Sequence, residues 1–136
     1  MQKLGIIGAG AWGTALAAVA AKAGRDVTLW AFEPEVVEAI NRTRRNPLYL
    51  PEIVLSDLIR ATSNLNAMAG LDILLVVTPA QHMRAILAKM PAHPRDLVLC
   101  SKGIDAASGA LRFAAELRHA HRLRGLPRHI LYGVQP

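Results

Sequence analysis

The chain has 136 residues, of which 52% are apolar and 4% aromatic, and its 16 Lys and Arg against 10 Asp and Glu give a formal net charge of +6. These values fit one domain with a buried core and exclude a disordered chain. The longest apolar runs, 15–21 and 71–79, are shorter than the roughly 18 residues of a membrane-spanning helix, and no secretory signal is present, so we expect a cytoplasmic protein without a membrane span.

Segments of strand type and of helix type alternate along the chain, which predicts a parallel sheet covered by helices. Apolar runs predict strands at 4–7, 27–30, 59–62, 73–77, 97–100 and 130–132. Helical composition and spacing predict helices at 13–22, 34–40, 80–90 and 106–122. The segment 46–51 contains two prolines and is predicted to be a loop.

Cysteine and histidine give no metal-site pattern. Cys100 is the single cysteine, which excludes an intrachain disulfide and a cysteine-based zinc site, and its apolar surroundings predict a buried thiol. The histidines lack metal-ligand spacing with carboxylates or cysteine. We therefore predict no metal at these five positions: His82, His93, His119, His121 and His129.

Gly8, Gly10 and Gly13 form a G-x-G-x-x-G pattern between the first predicted strand and the first predicted helix. The first glycine permits a tight turn, the second lets the backbone approach a pyrophosphate, and the third lets the helix pack closely on the strand. Unpaired N–H groups and the positive end of the helix dipole then attract the anion. The pattern predicts a dinucleotide site in a Rossmann-type α/β fold, a parallel sheet with helices on both faces.

The end of the second predicted strand leaves several interpretations open. Glu33, twenty positions after Gly13, suits either a hydrogen bond to a ribose diol, which favours NAD, or stabilisation of the next helix from its first turn. Phe32 suits either a border of the adenine or core packing. For the basic residues that follow, a solvated turn is favoured over contact with a 2′-phosphate; these are Arg42, Arg44 and Arg45.

Four segments in order form a further pattern: Gly8-Ala9-Gly10-Ala11-Trp12-Gly13-Thr14-Ala15-Leu16-Ala17, Asn46-Pro47-Leu48-Tyr49-Leu50-Pro51, Val76-Val77-Thr78-Pro79-Ala80-Gln81 and Ser101-Lys102-Gly103-Ile104. Together they resemble the signature of bacterial NAD(P)-dependent glycerol-3-phosphate dehydrogenase. The resemblance implies an oxidoreductase that interconverts dihydroxyacetone phosphate and sn-glycerol 3-phosphate with NAD or NADP and supplies glycerophospholipid synthesis. It is also compatible with a homodimeric full-length enzyme.

The resemblance assigns cofactor contacts near the glycine turn and the proline-bounded loop. Ala11 and Trp12 would border the cofactor phosphates and the nicotinamide end. Phe32 stands where the family often has Arg or His against the adenine ribose, and this departure leaves the preference between NAD and NADP open. Tyr49 would lie in a loop that covers the cofactor, with a packing role as the alternative.

The resemblance assigns further contacts to the later strands. Pro79 would turn the chain beside the nicotinamide ribose, although it also suits a purely structural helix start. Lys102, at the carboxyl end of a buried strand, would contact both substrate and cofactor, where a positive charge suits a phosphate or a developing alkoxide. Gly133 would match a glycine that contacts the substrate.

The resemblance also implies a second, helical domain that carries the catalytic lysine beyond residue 136. We therefore expect residues 1–136 to form the dinucleotide-binding domain alone and to bind cofactor without turnover. Two alternatives remain: a non-enzymatic NAD(P)-binding module, and another dehydrogenase of the 6-phosphogluconate or ketopantoate reductase type. We expect no nucleic-acid partner, because stacking aromatics and nucleic-acid motifs do not accompany the basic residues near the end of the chain.

Overall fold

Six parallel strands form one sheet in the computed structural model, which describes residues 3–78, 85, 86, 88–90, 96–99 and 130–132. The strands are β1 (Lys3–Ile7), β2 (Asp26–Trp30), β3 (Ile59–Thr62), β4 (Ile73–Val76), β5 (Asp96–Leu99) and β6 (Ile130–Tyr132). Their order across the sheet is β3-β2-β1-β4-β5-β6, and every neighbouring pair is parallel. This is the Rossmann-type order, in which the winding direction reverses between β1 and β4 and ligands bind at the carboxyl ends of the strands beside that reversal.

Two helices connect the first three strands: α1 (Ala11–Lys22) between β1 and β2, and α2 (Pro34–Thr43) between β2 and β3. The alanine-rich face of α1 packs closely on the sheet because its side chains are small, and Ala17 is fully buried. Pro34 occupies the first position of α2, where its missing N–H group breaks no helical hydrogen bond. Val36 and Ile40 of α2 face the same core as Ala17.

The sheet has a core on each face, because successive strand residues point to opposite sides. Ile6 packs in the core beneath α1 and α2, whereas its neighbour Ile7 packs in the core on the other face. Ile86 and the buried Met90 cover this second core, and residues 85, 86, 88 and 89 are helical. Helices therefore lie on both faces of the sheet, as the sequence predicts.

Arg44 ends α2 and fastens the following loop to it. Its backbone adopts the left-handed conformation, with φ of 59°. Its guanidinium group donates hydrogen bonds to the carbonyl oxygens of Ser56 at 2.8 Å and Ile59 at 2.9 Å. The Leu55 N–H group donates to the Arg44 carbonyl oxygen at 2.7 Å. Both ends of the loop between α2 and β3 are thus held at one residue.

Asn41 covers part of the exposed edge of β3. Its amide group donates to the carbonyl oxygen of Ala61 and accepts from the N–H group of Ala61, both at 2.9 Å. The side chain thereby takes the two hydrogen bonds that a further strand would make, which protects an otherwise open edge.

Most predicted elements are confirmed within one or two residues. The predicted helix 13–22 begins at Ala11, because Gly10 serves as the N-cap of α1, and the predicted helix 34–40 extends to Thr43. The loop 46–51 is confirmed, with an isolated bridge between Asn46 and Leu50. The predicted helix 106–122 and Cys100 lie outside the described residues. No helix within the described ranges is long and apolar enough to cross a membrane.

Candidate functional site

The glycine turn lies where the winding of the sheet reverses. It leaves the carboxyl end of β1, which is flanked by β2 and β4. The Gly8 N–H group donates to the Trp30 carbonyl oxygen at 3.0 Å, and the Val77 N–H group donates to the Ile7 carbonyl oxygen at 2.8 Å. The turn is therefore joined to both neighbouring strands at the sheet edge where ligands of this fold bind.

The fold itself requires glycine at positions 8 and 13, because backbone atoms approach both residues closely. Gly8 has a φ of +118°, and an added Cβ would lie 2.9 Å from the carbonyl oxygen of Val77. An added Cβ at Gly13 would overlap the carbonyl oxygen of Gly8. Strand, turn and helix thus meet backbone to backbone at these two positions, and a side chain at either would force them apart.

Gly10 differs, because nothing in the described structure lies within 4 Å of the position its Cβ would occupy. Its φ of −71° is open to any residue, so the fold itself does not require glycine there. No side chain caps the N-terminus of α1, and the first helical hydrogen bond runs from the Thr14 N–H to the Gly10 carbonyl at 3.0 Å. The three N–H groups before Thr14 have no hydrogen-bond acceptor among the described residues and, with the helix dipole, offer a place for an anion.

Ala11 and Trp12 occupy the first turn of α1, beside this open space, and both are exposed. The indole of Trp12 remains 44% exposed in a chain whose other tryptophan, Trp30, is buried. The two residues that the resemblance assigns to the cofactor are therefore accessible at the end of α1.

Asn46, to which the sequence analysis assigned no role of its own, ties the loop 46–51 to the glycine turn. Its fully buried amide donates to the Ala9 carbonyl oxygen and to the Thr14 hydroxyl oxygen, both at 2.9 Å. Its side-chain oxygen accepts from the Tyr49 N–H at 3.3 Å. The amide partners lie 37 and 32 residues away in sequence, so no local pattern reveals them.

Glu33 and Tyr49 meet at the carboxyl end of β2. The Tyr49 hydroxyl donates to the Glu33 carboxylate at 3.0 Å. Glu33 is the N-cap of α2 rather than a member of its first turn, and its side chain makes no capping hydrogen bond. The hydrogen bond to Glu33, followed by the repulsion of that carboxylate, raises the pKa of Tyr49 above its usual value, so the hydroxyl keeps its proton at neutral pH.

Phe32 precedes this pair and is 77% exposed, so the core-packing interpretation is wrong. Its ring meets the buried Trp30 edge to face, with 6.4 Å between ring centroids. Phe32 therefore presents an aromatic surface to solvent at the edge of the sheet, next to Glu33.

Three arginines at the end of α2 and directly after it each have a partner. Arg42 pairs with Glu38 at 3.1 Å on the exposed side of α2. Arg44 is bound to loop carbonyl groups as described above, and Arg45 donates to the Pro51 carbonyl oxygen at 2.9 Å. This arrangement favours the structural interpretation of the basic turn over contact with a 2′-phosphate.

The remaining predicted site residues, Pro79, Lys102 and Gly133, lie outside the described residues, as do all five histidines. Among the residues that the structure does describe, no group of three or more His, Cys, Asp and Glu side chains could hold a metal ion.

The strand order, the open N-terminus of α1 and the three glycines define the class of protein: a dinucleotide-binding domain of Rossmann type. Residues 3–120 match the family model described as the N-terminus of NAD-dependent glycerol-3-phosphate dehydrogenase, and the chain belongs to this family. The resemblance noted in the sequence is therefore confirmed, and the family is one of NAD-dependent oxidoreductases.

Individual relatives agree with the family match. The chain is 51% identical over 110 residues to glycerol-3-phosphate dehydrogenase (NAD(P)+) of Maricaulis maris, a match that covers 79% of this chain and 33% of that protein. With the enzyme of the same name from Caulobacter vibrioides it shares 47% identity over 135 residues, covering 97% and 40% of the two chains. The structure of glycerol-3-phosphate dehydrogenase from Coxiella burnetii superposes with a TM-score of 0.73 at 26% identity, over 90% of this chain and 37% of that one.

The chain thus spans about a third to two fifths of the length of these curated relatives.

Proposed function

We propose that residues 1–136 form the cofactor-binding domain of an NAD(P)-dependent glycerol-3-phosphate dehydrogenase. The whole protein would interconvert dihydroxyacetone phosphate and sn-glycerol 3-phosphate, in the cytoplasm and as a homodimer, and supply glycerophospholipid synthesis. The observation that carries the proposal is the open space at Gly10, because the fold would accept a side chain there and a dinucleotide would not.

The residues around the glycine turn fit a dinucleotide. The free N–H groups at the start of α1 and the helix dipole suit its pyrophosphate, and Gly10 leaves room for the backbone to approach it. Ala11 and Trp12 would border the phosphates and the nicotinamide end. The exposed ring of Phe32 suits a contact with the adenine, because aromatic rings stack on one another.

The carboxylate of Glu33 would accept hydrogen bonds from the adenine ribose, with Tyr49 beside it. By resemblance, Pro79 would adjoin the nicotinamide ribose, Lys102 would contact substrate and cofactor, and Gly133 would contact substrate.

When bound, the nicotinamide supplies the site that accepts or donates the hydride. This chain's own part is to bind and orient the cofactor at the sheet edge. The charge of Lys102 suits the substrate oxygen, which becomes more negative as a carbonyl group is reduced. The catalytic lysine of the family is expected beyond residue 136, so these residues alone are expected to bind cofactor without turnover.

The proposal is tested by calorimetric titration of the chain with NADH, followed by an activity assay on the whole protein that contains it. We expect one saturable site on the chain and no loss of NADH absorbance when dihydroxyacetone phosphate is added to the chain alone. In the whole protein, dihydroxyacetone phosphate is expected to cause oxidation of NADH, whereas ketopantoate is not. A chain that binds neither NADH nor NADPH contradicts the proposal, and a whole protein that prefers ketopantoate contradicts the substrate.

A further inference from the structure

We propose that Tyr49 is a positioning residue that holds the Glu33 carboxylate so that the site selects a dinucleotide with a free ribose 2′-hydroxyl over one with a 2′-phosphate. The inference rests on the proposed function and adds a preference, NAD over NADP, that this function leaves open. It is carried by the geometry of Glu33, the anchoring of Tyr49 and the partners of the nearby arginines.

The Glu33 carboxylate does not cap its own helix. Glu33 is the N-cap of α2, and its backbone is extended, with φ of −86° and ψ of 119°. Its side chain accepts no hydrogen bond from the N–H groups of the helix. One oxygen, Oε1, accepts from Tyr49. The other, Oε2, has no hydrogen-bond partner among the described residues, and an ionised carboxylate accepts several donors. The group is thus held at one oxygen and available at the other.

The Tyr49 hydroxyl is placed by a folded loop. Asn46 lies fully buried at the base of the loop and accepts from the Tyr49 N–H at 3.3 Å through its side chain and from the Leu50 N–H at 3.0 Å through its backbone. Arg45, just before the loop, donates to the carbonyl oxygen of Pro51 at its end, at 2.9 Å, and so joins the two ends of the loop. Because the same Asn46 amide binds the glycine turn, the loop holds Tyr49 in a fixed relation to the pyrophosphate site.

This arrangement distinguishes the two cofactors by charge. Ribose hydroxyls donate to a carboxylate, whereas a 2′-phosphate at the same place would bring two negative groups together, which repel each other. Arg44 and Arg45 donate to backbone carbonyl groups of the loop, which directs their guanidinium groups toward it. Arg42 pairs with Glu38, but both side chains are largely exposed, so Arg42 is the cation that the experiment must exclude.

The experiment measures the dissociation constants of NADH and NADPH by calorimetry for the wild type, Tyr49→Phe, Glu33→Gln and the double variant. Leu48→Ala is the matched control, because Leu48 is a neighbouring loop residue, 65% exposed. Arg42→Ala tests the remaining cation. Melting temperatures confirm that each variant is folded. A tyrosine absorbance titration of the wild type against Glu33→Gln, with Tyr49→Phe subtracted from each, shows whether the hydrogen bond forms in solution.

We expect the wild type to bind NADH at least about tenfold more tightly than NADPH. Tyr49→Phe should reduce this ratio about three- to fivefold, as the loss of one hydrogen bond predicts. Glu33→Gln should bring the two constants within about threefold, and adding Tyr49→Phe to it should leave the ratio unchanged, because the hydroxyl acts through the carboxylate. Leu48→Ala and Arg42→Ala should leave the ratio unchanged. Tyr49 should titrate at lower pH in Glu33→Gln.

Two results would overturn the inference while leaving the proposed function intact. In the first, Tyr49→Phe weakens both cofactors equally, which indicates a purely structural role. In the second, the wild type prefers NADPH and Arg42→Ala removes that preference. A wild type that binds neither cofactor overturns the proposed function and this inference together.

Discussion

Replacing Gly10 with aspartate is expected to stabilise the domain while abolishing dinucleotide binding. The N-cap of α1 has no side-chain hydrogen bond, and its conformation is open to any residue. An aspartate there accepts from free N–H groups and complements the helix dipole, which should raise the free energy of unfolding by about 0.5–1 kcal/mol. The same carboxylate fills the space left at Gly10 and repels a pyrophosphate, so NADH affinity should fall at least about a hundredfold.

Urea denaturation and calorimetric titration measure the two effects on the same sample. Gly10→Val separates shape from charge, because valine fills the space without capping the helix, and it should lose binding with a small loss of stability. If either variant binds NADH as tightly as the wild type, the pyrophosphate does not lie against Gly10. If Gly10→Asp fails to fold, the space at Gly10 is not open.

Replacing Gly13 with alanine is expected to destabilise the domain by more than about 3 kcal/mol. In a helix interior this substitution is ordinarily stabilising, by about 1 kcal/mol, so the expected sign is reversed. The reason is that the new Cβ would overlap the Gly8 carbonyl oxygen, and both groups belong to backbone that cannot move without separating α1 from β1.

Gly10→Ala is the matched control for this substitution. It adds the same methyl group three residues earlier, where nothing lies within 4 Å, and should change the free energy of unfolding by about 1 kcal/mol or less. The difference between the denaturant midpoints of Gly13→Ala and Gly10→Ala therefore measures the effect of the close approach between residue 13 and the Gly8 carbonyl oxygen. Equal midpoints would show that α1 and the glycine turn are not in backbone contact.

The parts of the site that depend on neighbouring residues were predictable from sequence. Gly8, Gly10 and Gly13 stand at a fixed spacing between a strand and a helix, and the turn that they form is local. The strand 59–62 was predictable from its own composition and carries the predicted bounds. The spacing assigned the tight turn to Gly8 and close helix packing to Gly13, and the contacts at these two positions agree, whereas nothing lies within 4 Å of the Cβ position of Gly10 among the described residues.

The parts that depend on distant partners were not predictable. Asn46 gives no local signal, because its role lies in hydrogen bonds to residues more than thirty positions away. The same holds for Arg44, which looked like one of several basic residues in a turn and instead fastens the loop to α2. The sequence did not decide whether Phe32 packs in the core, because an isolated aromatic residue at the end of a strand does not show which side it faces. In the structure its side chain is exposed.

The contact between Glu33 and Tyr49 joins two residues that the sequence analysis considered separately. Sixteen positions separate them, and the loop between α2 and β3 brings them together because Asn46 and Arg44 hold it in place. Glu33 and Tyr49, whose roles the sequence left open, are thereby joined by a hydrogen bond at the end of β2. The proposed relation between cofactor preference and loop structure follows from this contact rather than from either residue alone.

In the proposed complex, a dinucleotide lies with its pyrophosphate at the N-terminus of α1. Amide NMR spectra of the isotope-labelled chain, recorded during titration with NADH, test it most directly. We expect saturable shifts that are largest at the amides of Gly10, Ala11, Trp12 and Gly13, where the N–H groups would meet the phosphates, and that are lost in Gly10→Asp. Saturable binding that shifts amides elsewhere and leaves these four unchanged would contradict it.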